Sequence, residues 1–100
     1  MKLEWSVDAI ADLDRFAQFL HERDPPLAGR IAAEIKERAQ ILASRPLLGR
    51  RLGDREEYRQ VVLQVARAAY IFQYRVENER LVMLRVFHGR ELRGERKPGA

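Results

Sequence analysis

Hydrophobic positions along this chain recur with two different periods, and the period changes at Pro46. At the start, Lys2-Leu3-Glu4-Trp5 alternates polar and apolar and predicts a short strand. Ser6 then suits the N-cap of a helix whose first turn holds Asp8, favourable at the positive end of the helix dipole. Ile10, Leu13, Phe16, Ala17 and Leu20 follow at spacings of three and four, which draws one apolar stripe on a helix running to about Glu22. Asp24-Pro25-Pro26 stops that helix and opens the next, because Pro25 fits the first helical position, where no amide donor is needed. Ile31, Ile35, Ala39 and Leu42 mark a second stripe that ends before Arg45-Pro46, with Glu34 and Arg38 spaced for an i,i+4 pair on its wet side. So short a joint predicts a helical hairpin.

Beyond Pro46 the period falls to two. Residues 47–54 read as a turn-rich linker, and three strands follow at Glu57–Val65, Ala69–Val76 and Arg80–His88, close enough in sequence to pair antiparallel. The predicted order is β-α-α-β-β-β, an α+β fold with the helical hairpin packed on one face of a small antiparallel sheet. Residues 1–90 make one domain on this reading. Residues 91–100, charged and carrying Gly94, Pro98 and Gly99, make a flexible basic tail.

Side-chain parity predicts which face each strand residue takes. Tyr70, Phe72, Tyr74 and Val76 share one side of their strand, as do Val82, Leu84, Val86 and His88 of the next. An odd-numbered loop, Glu77-Asn78-Glu79, sets these apolar groups on one face and avoids mixing polarity. The other face then shows Gln60, Gln64, Gln73, Arg75 and Arg85 among Val62, Ile71, Met83 and Phe87. That mixture is too apolar for plain solvent exposure and too charged for a core, as expected of a partner surface.

Composition narrows the classes. One hundred residues fit a single domain, and 46% apolar content is ordinary for a folded chain. With no cysteine, disulfides, thiolate–zinc sites and cysteine nucleophiles are excluded. Apolar runs are too short for a membrane span and the N-terminus is not a signal peptide, so a soluble cytoplasmic protein is expected. His21 and His88 lack ligand-spaced acidic neighbours, so neither a metal nor another cofactor is expected. Charge is uneven. Residues 1–44 hold six Lys/Arg against eight Asp/Glu, whereas residues 45–100 hold thirteen against seven, all arginine but Lys97. Such a half-molecule suits a nucleic acid or an acidic protein segment.

Three stretches carry a family likeness: the Gly49-Arg50-Arg51 turn, Glu57-Tyr58-Arg59, and Leu84-Arg85-Val86-Phe87-His88-Gly89-Arg90-Glu91. Together with Trp5-Ser6 before the first helix, Pro25/Pro26 before the second and the Tyr70…Tyr74-Arg75-Val76 strand, they span nearly the whole chain. In this ordered set the chain resembles the ParE/RelE superfamily of toxins from type II toxin–antitoxin modules.

The resemblance implies two alternative mechanisms. RelE-like members cut messenger RNA at the ribosome, where the 2′-hydroxyl attacks the adjacent phosphate. That chemistry needs a proton acceptor, a proton donor and cations around the phosphorane. His88, Arg85, Arg59 and Arg51 would supply them here, although the lysine set and terminal tyrosine of the ribosome-dependent cutters are missing. ParE-like members instead inhibit DNA gyrase, and the His88-Gly89-Arg90 ending is more similar to that branch. A third alternative is a non-toxic regulatory member. In either toxic case the resemblance implies a cognate antitoxin as partner, with an acidic-to-apolar segment that folds on the toxin. The residues assigned to that contact are Arg75, Arg85, Met83, Phe87 and Ile71. Arg50, Arg51, Arg90 and Arg93 are assigned to contact with the target.

Overall fold

Ser6 divides the chain's first strand from its first helix, and both ends of that junction are pinned by the last strand. In the computed structural model, which describes residues 1–91, β1 (Lys2–Trp5) leads into α1 (Val7–His21). The Ser6 hydroxyl accepts from the Ala9 amide at 3.0 Å and donates to the Leu84 carbonyl at 3.1 Å. Next come three short helices, α2 (Pro25–Ala28), α3 (Ile31–Ala39) and α4 (Ile41–Ser44). Four strands follow: β2 (Arg50–Leu52), β3 (Arg55–Val65), β4 (Ala68–Val76) and β5 (Arg80–His88). They form one five-stranded sheet in the order β1-β5-β4-β3-β2. Only β1 runs parallel to its neighbour, β5. No helix among the described residues is long and apolar enough to cross a membrane.

The α+β class and the helices-on-sheet arrangement match the expectation. The sheet, however, is mixed rather than antiparallel, because β1 pairs parallel with β5 across the intervening helices, and further details differ. The second helix is three segments. Asp24 caps α2 by accepting from the Leu27 amide, but Gly29 and then Arg30, at φ −127°, interrupt the helix before α3 begins. Glu34 pairs with Arg30 at 2.8 Å rather than with Arg38, which turns to the Gln64 carbonyl. Within the expected linker, residues 50–52 form β2, because Gly53 at φ +67° and Asp54 make the two-residue Gly-X turn that a hairpin favours.

A further difference changes a face. Tyr70 pairs with His88, Phe72 with Val86 and Gln73 with Arg85, as an odd loop requires. A β-bulge then intervenes, and Tyr74 pairs with Met83, Arg75 with Val82 and Val76 with Leu81. The extra residue, Leu84, inverts the parity of everything before it on β5. Leu81 and Met83 therefore enter the core, fully buried, and Met83 is not on the helix-free face as expected. The core gathers Ala9, Leu13 and Phe16 of α1, Ile31, Ile35 and Ala39 of α3 and Leu42 against Tyr70, Phe72, Tyr74 and Val86. Along α1 the buried stripe is displaced by one residue from the expected one. Ala9 is buried while Ile10 is 37% exposed, and the shift carries Asp12 inside.

A candidate interaction face and its two flanks

On the sheet face away from the helices, register aligns side chains into transverse rows. The central row is polar: Arg50 of β2 pairs with Gln60, Gln60 with Gln73 and Gln73 with Arg85, so one row crosses four strands. Gln73 donates its side-chain amide to Gln60 at 2.9 Å, which fixes the middle of the row. On one side lies the apolar row Val62, Ile71 and Phe87; on the other lie Tyr58, Arg75 and Val82. Ile71 is buried yet outside the core cluster, whereas Val62 is 54% exposed. Period-two alternation produces this pattern, since every second residue of β3, β4 and the end of β5 points away from the helices.

The first flank is the outer edge of β5. Its neighbour β1 ends at Trp5, paired with Met83, so from Leu84 to His88 the backbone has no strand partner on this side. Side chains take that place. The Val86 amide donates to Asp12 Oδ2 at 2.8 Å, and the His88 amide donates to Glu91 Oε1 at 2.9 Å. Arg85 reaches round the edge to Asp12 with Nε at 2.8 Å and Nη2 at 3.0 Å, its guanidinium lying over the Phe87 ring. Arg15 bonds to Asp12 and, through Nε at 2.9 Å and Nη2 at 3.0 Å, to Glu91. Two carboxylates and two guanidiniums thus close the edge, and such edges otherwise invite pairing with another chain. Asp12 is only 1% exposed. Burial pushes its carboxyl upward, but hydrogen bonds from Arg85, Arg15 and the Val86 amide outweigh that and hold it below the ordinary carboxylate range. Glu91 is lowered in the same way: burial opposes, while Arg15 and the His88 amide prevail.

The second flank is the turn into β2. The buried Tyr74 hydroxyl accepts from the Gly49 amide at 2.8 Å and donates to the Pro46 carbonyl at 2.9 Å. Arg59 donates to the Gly49 carbonyl at 2.8 Å. Gly49 itself admits no side chain, since a Cβ there would lie 2.6 Å from the Tyr74 hydroxyl oxygen and 2.7 Å from the Gln60 carbonyl. Burial raises the Tyr74 phenol above its ordinary value, so it stays a neutral donor.

The residues expected to act in RNA cleavage fall into separate places. Arg51 and Arg59 are register partners beside Tyr74. His88 is the partner of Tyr70, with the two rings edge to face at 5.2 Å, and its Nδ1 accepts from the Arg90 amide at 3.1 Å. These positions lie four residue steps apart along β4, roughly 13 Å. Arg85 is drawn to Asp12. Of the contact residues, Ile71, Phe87, Arg75 and Arg85 belong to the helix-free face, and Met83 does not. Arg50 ends the polar row and Arg90 is exposed, whereas Arg93 lies outside the described residues. So does the expected tail, apart from Glu91, which is tied to Arg15. Among the described residues no cluster has the makings of a metal site. Asp12, Arg15 and Tyr74 were not among the expected site residues. For Asp12 a signal existed: it lies between Ala9 and Phe16 at helical spacing, a carboxylate inside an apolar arc.

The chain is similar to known proteins. Toxin RelE1 of Caulobacter vibrioides is 31% identical over 88 residues, which is 88% of this chain and 92% of the relative. Among solved structures, the chromosomal ParDE toxin–antitoxin system of P. aeruginosa superposes with a TM-score of 0.69 at 23% identity, covering 88% of this chain and 95% of that one. A conserved Helicobacter pylori protein, HP0894, gives a TM-score of 0.57 at 17% identity, over 92% and 98% of the two chains. These two likenesses bear on the fold. The family model for the ParE toxin of the type II toxin–antitoxin system parDE matches residues 3–93. From the first strand to past the carboxylate-guarded edge of the last, the chain belongs to the ParE toxin family of type II toxin–antitoxin systems.

Proposed function

We propose that this toxin arrests growth by acting on DNA gyrase and is held in check by a cognate antitoxin whose acidic-to-apolar segment lies on the helix-free face. One observation carries the choice of target: the groups needed for RNA cleavage are dispersed. A general acid–base pair and its cations must reach a single phosphate. Here His88 and Arg59 stand beside different tyrosines of β4, and Arg85 is neutralised by a buried carboxylate. RNA cleavage is the second reading, favoured by the adjacency of Arg51 and Arg59 and by the likeness to a relative named Toxin RelE1. Purified gyrase with supercoiled plasmid separates the two. Gyrase-dependent cleaved DNA, suppressed by the antitoxin, is the expected result. Cuts within translated codons of induced cells, without gyrase-dependent DNA breaks, would overturn it.

The antitoxin's placement is supported by the juxtaposition of Val62, Ile71 and Phe87 with Arg75 on the helix-free face. Apolar burial would provide the affinity and arginines the steering. Arg75 is the cleaner charge to reverse, since its ion pair with Glu77, at 2.6 Å, is partly exposed, whereas Arg85 also holds the fold together through the buried Asp12. The variant Arg75→Glu should weaken antitoxin binding tenfold or more, about 1.4 kcal/mol, in calorimetry. An unchanged affinity rejects the placement.

A further inference from the structure

The segment between α4 and β2 displays two adjacent leucines to solvent, Leu47 at 65% and Leu48 at 42% exposure. Single exposed leucines are ordinary, but these two are held in an unusual setting. The backbone on either side of them is fixed from beneath: Pro46 and Gly49 are both bonded to the buried Tyr74 hydroxyl, and Gly49 is bonded again by Arg59. The Leu48 amide adds a further bond to the Arg45 carbonyl. Three exposed arginines, Arg45, Arg50 and Arg51, stand in the same short stretch. Arg45 and Arg50 have no ion-pair partner among the described residues, and Arg51 has only an exposed contact with Glu56 at 3.5 Å.

From this juxtaposition we infer that Leu47 and Leu48 form a preorganised knob that inserts into an apolar recess rimmed by carboxylates on the toxin's target protein, separate from the antitoxin contact. The inference rests on the toxin reading and deepens it by naming the chemistry of the target surface. Fixing a loop beforehand removes an ordering cost that binding would otherwise carry, and exposed side chains on a fixed frame are what a pocket can grip. The unpaired arginines call for an acidic rim. A nucleic acid fits less well, because single strands are held by stacking on aromatic rings and the knob has none.

The test uses the full chain in three forms: wild type, Leu47→Ser with Leu48→Ser, and Tyr74→Phe. The serine pair should keep the melting temperature and should bind purified antitoxin within twofold of wild type. It should bind purified gyrase at least tenfold more weakly and fail to arrest growth. Tyr74→Phe touches no partner but frees the loop, so it should weaken gyrase binding by severalfold while leaving antitoxin binding alone. Growth arrest and gyrase binding that survive the serine pair overturn the knob. Loss of antitoxin binding by that pair overturns it too, by assigning the leucines to the neutralising interface. Loss of plasmid or RNA binding, with gyrase binding kept, makes the site one for nucleic acid and also overturns it. If wild type arrests growth without binding gyrase, the gyrase reading falls, and arrest by the serine pair decides the knob alone. If wild type does not arrest growth at all, both readings fall.

Discussion

Two groups of arginines stand at opposite ends of the polar row, and they are spent differently. At the outer edge of β5, Arg15 and Arg85 are committed to Asp12 and Glu91, a cluster of two cations and two anions with no charge to spare. In the segment that leads into β2, Arg45 and Arg50 have no ion-pair partner among the described residues. Charge counted along the chain treats these arginines alike. What separates them is one buried carboxylate: Asp12 needs donors because it lies out of water, and it obtains them from the nearest guanidiniums. The excess charge of residues 45–100 is accordingly weaker at the β5 edge and more available at the turn into β2.

The largest effect should come from breaking the committed side. Asp12→Ala strands the Val86 amide and leaves two guanidiniums facing each other, and it should cost roughly 3 kcal/mol in urea unfolding. Asp12→Asn keeps an acceptor and should cost less. Acid should act through the same groups. Both Asp12 and Glu91 titrate lower in the folded chain than their ordinary values of 3.8 and 4.5. The unfolded chain therefore takes up protons first. The stabilisation is complete above those ordinary values and is lost as pH falls through the lower folded ones. Urea midpoints measured from neutral pH down into this range should fall more steeply for wild type than for Asp12→Asn. A parallel decline would show that the Asp12 charge contributes nothing. The smallest effect belongs to the free side: Arg45→Ala with Arg50→Ala should change stability by no more than about 0.5 kcal/mol. A larger loss would mean those arginines are structural after all, and the contrast would vanish.

Much of this was legible in the order of residues. Ser6 and Asp24 cap helices as their chemistry suggests, and the apolar alternation of Tyr70, Phe72 and Tyr74 marks the buried face of β4. The failures have physical causes. A bulge is one residue of slippage that no local propensity announces, and Leu84 alone moved Met83 from one face to the other. The edge cluster joins Asp12 to Arg85 across 73 positions, beyond any local pattern. The turn between β3 and β4 uses Ala66 and Arg67, both at positive φ, where Asn-Gly would have declared it. At the candidate site, alternation identified the helix-free face, but which of its cations are free is decided only by what packs behind them.

The parallel pairing of β1 with β5 also bears on how the protein is made. Residues 2–5 leave the ribosome well before their partners, residues 80–83. Ser6 likewise waits for Leu84, and Asp12 for Val86. A nascent chain cannot finish this sheet until β5 has been synthesised. Contacts this distant in sequence are also slow to form. Truncated translation products consequently lack the closed fold, and the active shape appears only when the last strand arrives.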